Sequence, residues 1–180
     1  ALATTLLGTG QLEQARTRAE EATAVFAKAE DVSGEGTAWT VIGNIRAREA
    51  NWSLAEAAYQ EALARFDRVG DSLGELGVHQ QVARMLRDRN LLDDALARAE
   101  RGVAVAERLQ SFVVSPELRS PYFSALQGTY DVRIDVLMQL AKKNSDSRLE
   151  EAAFEASEHA SARTLFESLG DVRGGVTQGI

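Results

Sequence analysis

The chain has 180 residues, of which 44% are hydrophobic and only 6% aromatic, and its scattered valines and isoleucines form no strand pattern. Its net charge of −7 is unlike that of most nucleic-acid-binding proteins, which carry a basic face. The absence of cysteine excludes disulfides and thiolate metal sites, and no apolar run approaches the ~18 residues of a membrane span.

An internal period of 40 residues runs through the first 110 residues of the chain. The residues that coincide when the sequence is shifted by this period include Ala15, Ala55 and Ala95; Phe26 and Phe66; Asp31 and Asp71; and Gly34 and Gly74. Periods of 20 to 50 residues are typical of stacked-repeat architectures. We therefore expect three related units, each made of two helices.

The first unit shows only part of its first helix, because Leu2 and Ala3 align with Ile42 and Gly43 of the second unit. The missing initiator methionine agrees with this truncation, so we expect an excised fragment of a longer protein. In the second unit, helical spacing predicts a first helix around Trp39 and Ile45 and a second helix over residues 52–69. In the third unit it predicts helices near 75–89 and 91–109.

Turn residues separate these helices. Gly10 and Asn90 lie at turns within a unit and tolerate the left-handed backbone conformation that tight helix–helix turns need. Gly70 lies where the second unit ends, and Asp71 can cap the helix that follows.

These units resemble the tetratricopeptide repeat (TPR) in a form of about 40 residues. The family's first helix has a large residue, an apolar–small pair and a second large residue; its second helix has two small residues seven apart. The matching positions are Trp39, Ile42, Gly43 and Arg46; His79, Val82, Ala83 and Leu86; and the pairs Ala15 with Ala22, Ala55 with Ala62, and Ala95 with Gly102. The resemblance implies an all-α right-handed superhelix of stacked antiparallel helix pairs over residues 1–110, with about two and a half to three units.

Residues 111–170 break the period and predict a longer, atypical pair of helices. Apolar residues from Leu118 to Ala141 follow a helical stripe, with either Pro116 at the first position or a start or kink near Ser120 and Pro121. A last helix is predicted over about 149–169. Glycines after it predict a flexible tail over 171–180.

This C-terminal half is similar to the last repeats of bacterial proteins in which tetratricopeptide repeats precede a caspase-like CHAT protease domain. The matching residues are Leu118, Arg119, Tyr130, Ile134, Leu137, Met138, Leu140, Ser157, Glu158, Ala162, Arg163 and Leu165. His159 and Ser161 stand where that family usually has arginines. The resemblance implies a protease domain beyond residue 180 and places Glu158 and Arg163 at the contact with it. The alternative for this pair is an ion pair between the last two helices.

The sequence shows no catalytic constellation. Glu155 and His159 have a spacing that metal-binding helices use, but no third ligand lies nearby, so a solvated helix face is expected. Gly8 and Gly10 lack the third glycine and the preceding strand of a dinucleotide loop. His79 replaces Trp39 of the preceding unit and is expected to pack between repeats. We predict no enzymatic activity, no cofactor and no metal.

The resemblance also implies that five positions of each first helix line a concave groove. They are Thr37, Thr40, Asn44, Ala47 and Arg48 in the second unit and Gly77, Gln80, Arg84, Arg87 and Asp88 in the third. We expect Asn44, Arg48, Gln80, Arg84 and Arg87 to bind an acidic or C-terminal peptide, since arginine forks suit carboxylates. Alternatively, these arginines pair with acids of neighbouring helices and bind nothing.

The sequence therefore predicts a protein–protein interaction module, the regulatory or partner-binding region of a CHAT protease-like protein. The expected partners are a protein or peptide and the adjoining CHAT domain, not nucleic acid or membrane. The chain's lack of cysteine is compatible with the cytoplasm, which is the expected location. The alternative function is a structural scaffold that forms homo-oligomers without a peptide ligand.

Overall fold

The computed structural model describes the backbone of residues 2–110 and 116–176, and the side chains of residues 2–109 and 122–161. These residues form helices and no strand, which confirms the all-α prediction. The helices are α1 (Leu2–Gly8), α2 (Leu12–Lys28), α3 (Val32–Arg48), α4 (Trp52–Val69), α5 (Ser72–Asp88), α6 (Leu92–Gln110), α7 (Pro116–Asn144) and α8 (Ser147–Val176).

The helices stack in a repeat-like arrangement with two layers. Each helix packs against the next one in the chain. Within the described residues, the odd-numbered helices also touch one another in the order α1, α3, α5 and α7, whereas the even-numbered helices do not. The odd-numbered helices therefore form the more closely packed layer.

Positive backbone φ angles recur every 20 residues through the first five turns. They occur at Gly10 (78°), Glu30 (58°), Ala50 (58°), Gly70 (67°) and Asn90 (59°). The left-handed turns predicted at Gly10 and Asn90 are confirmed. Those at Glu30 and Ala50 were not predicted, because neither residue type favours this conformation.

Aspartate caps begin two of the odd-numbered helices. The carboxylate of Asp31 accepts a hydrogen bond from the Gly34 amide at 2.8 Å, and that of Asp71 accepts one from the Gly74 amide at 2.9 Å. The Ser33 hydroxyl also donates to Asp71, so one carboxylate caps α5 and ties it to α3. This cap explains why α5 starts at Ser72, three residues before the predicted start.

Phenylalanine rings lie on glycines across the same junctions. A Cβ atom on Gly34 would lie 2.4 Å from Cδ1 of Phe26, and one on Gly74 would lie 2.4 Å from Cδ1 of Phe66. Such distances leave no room for a side chain. The coincidence of these two residue pairs at the 40-residue period therefore reflects one recurring contact between an even-numbered helix and the first turn of the next helix.

The third unit ends differently. Ala106 stands where Phe26 and Phe66 stand in the first two units. The Tyr122 hydroxyl of α7 donates to the Ala106 carbonyl at 3.0 Å, and both residues belong to one buried cluster. An aromatic residue of α7 thus packs where the repeat itself supplies only a methyl group.

Several predicted helix bounds need correction. Helix α4 spans the predicted residues, and α7 begins at Pro116, the first of the two alternatives. Helix α8 continues to Val176, so residues 171–176 are helical rather than part of a tail. Each glycine inside a helix destabilises it by only about 1 kcal/mol relative to alanine, so glycines in this segment do not prevent a helix. Residues 177–180 lie outside the described residues, and the division into domains stays a prediction.

The small residues of α4 generate the first testable prediction. Ala55 and Ala62 are both 0% exposed and belong to one core cluster. Enlarging either one forces neighbouring side chains out of place, so Ala55→Leu and Ala62→Leu should each lower the free energy of unfolding by about 1–3 kcal/mol. Urea denaturation measures this. The control Ala57→Leu, on the exposed face of α4, should change little; equal stability of all three variants would refute the packing.

The turn at Ala50 generates the second prediction. A left-handed conformation costs an L-residue about 1–2 kcal/mol, whereas glycine adopts it freely at some entropic cost. Ala50→Gly should therefore raise the free energy of unfolding by about 0.5–1 kcal/mol. Gly70→Ala, at a natural left-handed glycine, should lower it. Ala57→Gly, inside α4, should be destabilising, and a Tm of Ala50→Gly below that of the wild type would contradict the assigned turn.

Candidate functional site

A groove of about 310 Å³ lies between α3 and α5, and we name it the α3–α5 groove. Its lining residues come from α1, α3, α4 and α5 and are Leu7, Asn44, Ala47, Arg48, Trp52, Tyr59, Gln81, Arg84, Met85, Arg87 and Asp88. The structure thus brings together four of the five residues expected to bind peptide: Asn44, Arg48, Arg84 and Arg87.

Two of the three arginines are engaged by the protein itself. Arg48 donates to the carbonyl of Leu7 near the C-terminus of α1, where helix carbonyls lack partners. Arg87 donates to Asp135 of α7 at 2.8 Å and to the neighbouring Asp88 at 2.8 and 2.9 Å. Burial opposes the charge of Arg87, but these carboxylates outweigh it and raise its pKa. Arg87 is therefore already neutralised.

Arg84 differs from both. It is half-buried in the wall of the groove, and it makes no hydrogen bond or ion pair with any residue that the structure describes. A partly desolvated guanidinium without a counter-charge favours the approach of an anion.

Asn44 supplies neutral hydrogen-bonding capacity beside these arginines. The Tyr59 hydroxyl donates to Oδ1 of Asn44 at 2.8 Å, and burial raises the pKa of Tyr59, so the hydroxyl keeps its proton. This bond fixes the orientation of the amide. Among the described residues nothing accepts from the Asn44 amide nitrogen, which leaves it to donate to a ligand.

The remaining predicted groove residues lie outside this cavity. Nε2 of Gln80 lies against α7, only 1.9 Å from where a Cβ on Gly128 would be. The hydroxyls of Thr37 and Thr40 donate to carbonyls one turn earlier in α3, Ser33 at 3.1 Å and Gly36 at 2.9 Å. Their roles, like that of Gly77, stay predictions.

The predicted interdomain residues lie on α8. Glu158 is exposed, and Phe154, one turn earlier on the same helix, is 64% exposed. The side chain of Arg163 lies outside the described residues, as do those of Leu118, Arg119, Ala162 and Leu165. The structure therefore places Glu158 on the surface. Its contact with a protease domain and the alternative ion pair between the last two helices both stay predictions.

A second concave region was not predicted. Two cavities of about 320 and 420 Å³ lie between α4 and α6 and share Leu63, Arg98 and Arg101 in their linings. We name this region the α4–α6 cleft. The sequence did not predict this cleft, because ligands were expected to bind to the first helices of the units. The cleft lies between α4 and α6, which are second helices.

His79 lies at the base of the cleft in a chain of polar contacts. Its Nδ1 lies 3.4 Å from Nη1 of Arg98, and its Nε2 lies 3.5 Å from Oε1 of Glu75. The other oxygen of this carboxylate, Oε2, accepts from Arg108 at 3.3 Å. Burial, helped by the charges of Arg98, Arg101 and Arg108, lowers the pKa of His79 to about 4. His79 is buried, at 6% exposed, and its expected packing between repeats stays a prediction.

Among the described residues, no group of three His, Cys, Asp or Glu side chains is arranged to hold a metal ion. In the same part of the chain, no helix has the length and apolar character needed to cross a bilayer.

Comparisons with protein-family models, with curated proteins and with solved structures find no match to this chain.

The lowered pKa of His79 generates the third prediction. Because the folded-state pKa of about 4 lies below the unfolded value near 6.5, the unfolded chain binds more protons between these values. Stability should therefore fall as the pH decreases from about 6.5 towards 4. Between pH 7 and 5 this one group should cost about 1–2 kcal/mol of the free energy of unfolding.

Urea denaturation at pH 7 and pH 5 measures that loss. His79→Gln removes the titrating group and should show a smaller difference between the two pH values than the wild type. His159→Gln, which changes an exposed histidine of α8, should behave like the wild type. An identical pH dependence in His79→Gln and the wild type would rule out His79 as the source.

Proposed function

We propose that this chain is a protein–protein interaction module of the tetratricopeptide type, and that its α3–α5 groove binds an acidic or C-terminal peptide segment. Support for the fold comes from the alternation of helices into two layers and from turns that repeat every 20 residues. A stack that is tighter on the side of the odd-numbered helices curves towards that side, which makes α3 and α5 part of a concave surface.

The observation that carries the proposal is that Arg84 has no partner among the side chains that the structure describes. The other groove arginines have partners within the protein, so an incoming carboxylate gains most at Arg84. A guanidinium–carboxylate contact is stronger than a neutral hydrogen bond and is frequently bidentate. The expected complex has the carboxylate on Arg84 and a peptide carbonyl accepting from the Asn44 amide.

The apolar parts of the groove favour a peptide with an apolar residue next to its carboxylate. Leu7, Trp52 and Met85 line the same cavity as Arg84. Burial of an apolar side chain contributes about 25 cal/mol per Å² removed from water, so such a residue adds affinity that an isolated anion lacks.

In the parent protein, we propose that this module regulates an adjoining CHAT protease-like domain. The exposed Phe154 and Glu158 on α8 support a contact there, because exposed aromatic residues are enriched in interfaces. In this proposal Glu158 and Arg163 contact that domain, and peptide binding in the groove is a separate event.

The fourth prediction tests the groove with a peptide array of acidic and C-terminal sequences. Acidic peptides should bind the wild type, and the Arg84→Ala/Arg87→Ala variant should bind at least tenfold more weakly. The single variant Arg84→Ala should account for most of that loss, because Arg87 is held by Asp88 and Asp135. Arg68→Ala, at an exposed position of α4, is the matched control and should bind like the wild type.

Two results would refute the proposed function. One is equal binding of acidic peptides to the wild type and the double variant, and the other is binding to neither. Light scattering on the same samples tests the alternative, since an assembling scaffold would give a mass that rises with protein concentration. Loss of the Arg87–Asp135 contact is expected to affect stability, so urea denaturation of each variant accompanies the binding data.

A further inference from the structure

The repeat offers an internal comparison at two positions of the second helices. Arg18 and Glu21 of α2 form an ion pair at 2.7 Å. Shifted by two periods, the same positions of α6 hold Arg98 and Arg101. Residues three apart lie next to each other on a helix, so the third unit places two positive charges where the first unit places a neutral pair.

Neither of these arginines forms an ion pair with a residue that the structure describes, although the charge of Glu56 acts on Arg98 from a distance. Among the described residues, Arg98 makes one close polar contact, with Nδ1 of His79, and Arg101 makes no hydrogen bond or ion pair. Burial of the Arg98 guanidinium, together with the charge of Arg101, lowers the pKa of Arg98. Arg98 is partly buried and Arg101 is exposed; the two like charges repel each other, and an anion between them relieves that repulsion.

The surroundings of the two arginines define the shape and charge of a ligand. Leu63 of α4 lines both cavities of the cleft together with Arg98 and Arg101. Carboxylates lie at both ends: Asp94 lines one cavity and Asp67 the other, whereas Glu56 and Glu75 of the same linings form ion pairs with Arg89 and Arg108. The cleft thus presents a positive centre, an apolar wall and negative ends.

The length of the cleft suits a short peptide segment. Asp94 and Arg108 are the outermost α6 residues of its lining, and at 1.5 Å per residue they lie about 21 Å apart along the helix. An extended peptide of about six residues covers that distance at roughly 3.3 Å per residue.

We propose that the α4–α6 cleft is a second binding site, which takes a partner segment with one anionic side chain at its centre and apolar or basic residues on either side. The anionic group, a carboxylate or a phosphate, lies between Arg98 and Arg101. The carboxylates at the ends repel uniformly acidic segments, so this site selects a charge pattern that differs from the acidic ligand of the α3–α5 groove.

The substitution Arg101→Glu tests this site with little disturbance of the fold. It recreates in α6 the arginine–glutamate pair that α2 already contains, and it changes an exposed residue. Lys142→Glu, at an exposed position of α7, produces the same change in net charge and is the matched control. Arg84→Ala reports on the α3–α5 groove, and circular dichroism confirms the fold of each variant.

The probes are short fluorescein-labelled peptides with a lysine at each end and leucines around one central residue. That central residue is glutamate, phosphoserine or glutamine in three peptides, and a fourth peptide has glutamates throughout. Fluorescence anisotropy should show binding of the glutamate-centred or phosphoserine-centred peptide to the wild type, Lys142→Glu and Arg84→Ala. Binding to Arg101→Glu should be at least tenfold weaker, and the tighter of the two anionic peptides identifies the anion.

Four outcomes would overturn the proposal. They are equal binding of the glutamine-centred peptide, tighter binding of the all-glutamate peptide to Arg84→Ala, unchanged binding to Arg101→Glu, and no binding of either anion-centred peptide to the wild type. Loss of binding in Arg84→Ala rather than in Arg101→Glu would assign these peptides to the α3–α5 groove. Failure of the α3–α5 groove to bind acidic peptides leaves the expectation for Arg101→Glu unchanged, so the two sites are tested separately.

Discussion

The stack depends on contacts in which an aromatic ring lies directly on a glycine of a neighbouring helix. Phe66 occupies the space that a Cβ on Gly74 would need, and Tyr59 does the same at Gly43, where the Cβ would lie 2.5 Å from the ring. Without a side chain on the glycine, the helix backbones approach closely and the ring is buried on several sides. The alanines of α4 extend the same close contact along the helix. Tyr59 and Phe66 are accordingly among the most buried side chains, at 2% and 3% exposed.

This contact pattern changes at the third unit, and the change decides which residues of α5 are covered by α7. Ala106 replaces the phenylalanine, and α7 approaches with Tyr122 and with Gly128, which lies against Gln80. Helix α7 also brings Asp135 to Arg87. These contacts cover part of the α5 surface that the resemblance placed in the open groove. Arg84, three residues before Arg87, is left without a partner in the described part of the chain.

Much of the fold could be predicted from the sequence, because residues that recur every 40 positions make the same packing contact in each unit. Phe26 and Phe66, or Gly34 and Gly74, coincide because each pair makes the same packing interaction, so their spacing carries structural information. The partners of the arginines were not accessible in this way. Arg84 and Arg87 are the same residue type on one helix, and they differ only because Asp135, 48 positions away, reaches one of them. A turn near Ala50 and Asn51 was predicted, but its left-handed conformation was not, because alanine does not favour it.

Repetition also separates residues that maintain the fold from residues that are free to serve another purpose. Positions related by the period share a backbone setting, so a difference in charge between them is not required by that setting. In α2 these two positions hold an ion pair with no net charge, Arg18 with Glu21. In α6 the same positions hold two positive charges, Arg98 and Arg101, although the net charge of the chain is −7. In contrast, Glu35 and Glu75 keep both their position and their character, since each accepts from an arginine of the following helix, at 3.3 Å in both cases. The two arginines, Arg65 and Arg108, stand at different positions of the repeat, but each ion pair joins the two helices of one unit, which is a structural role. The difference in charge at Arg98 and Arg101 is the observation on which the proposed second binding site rests.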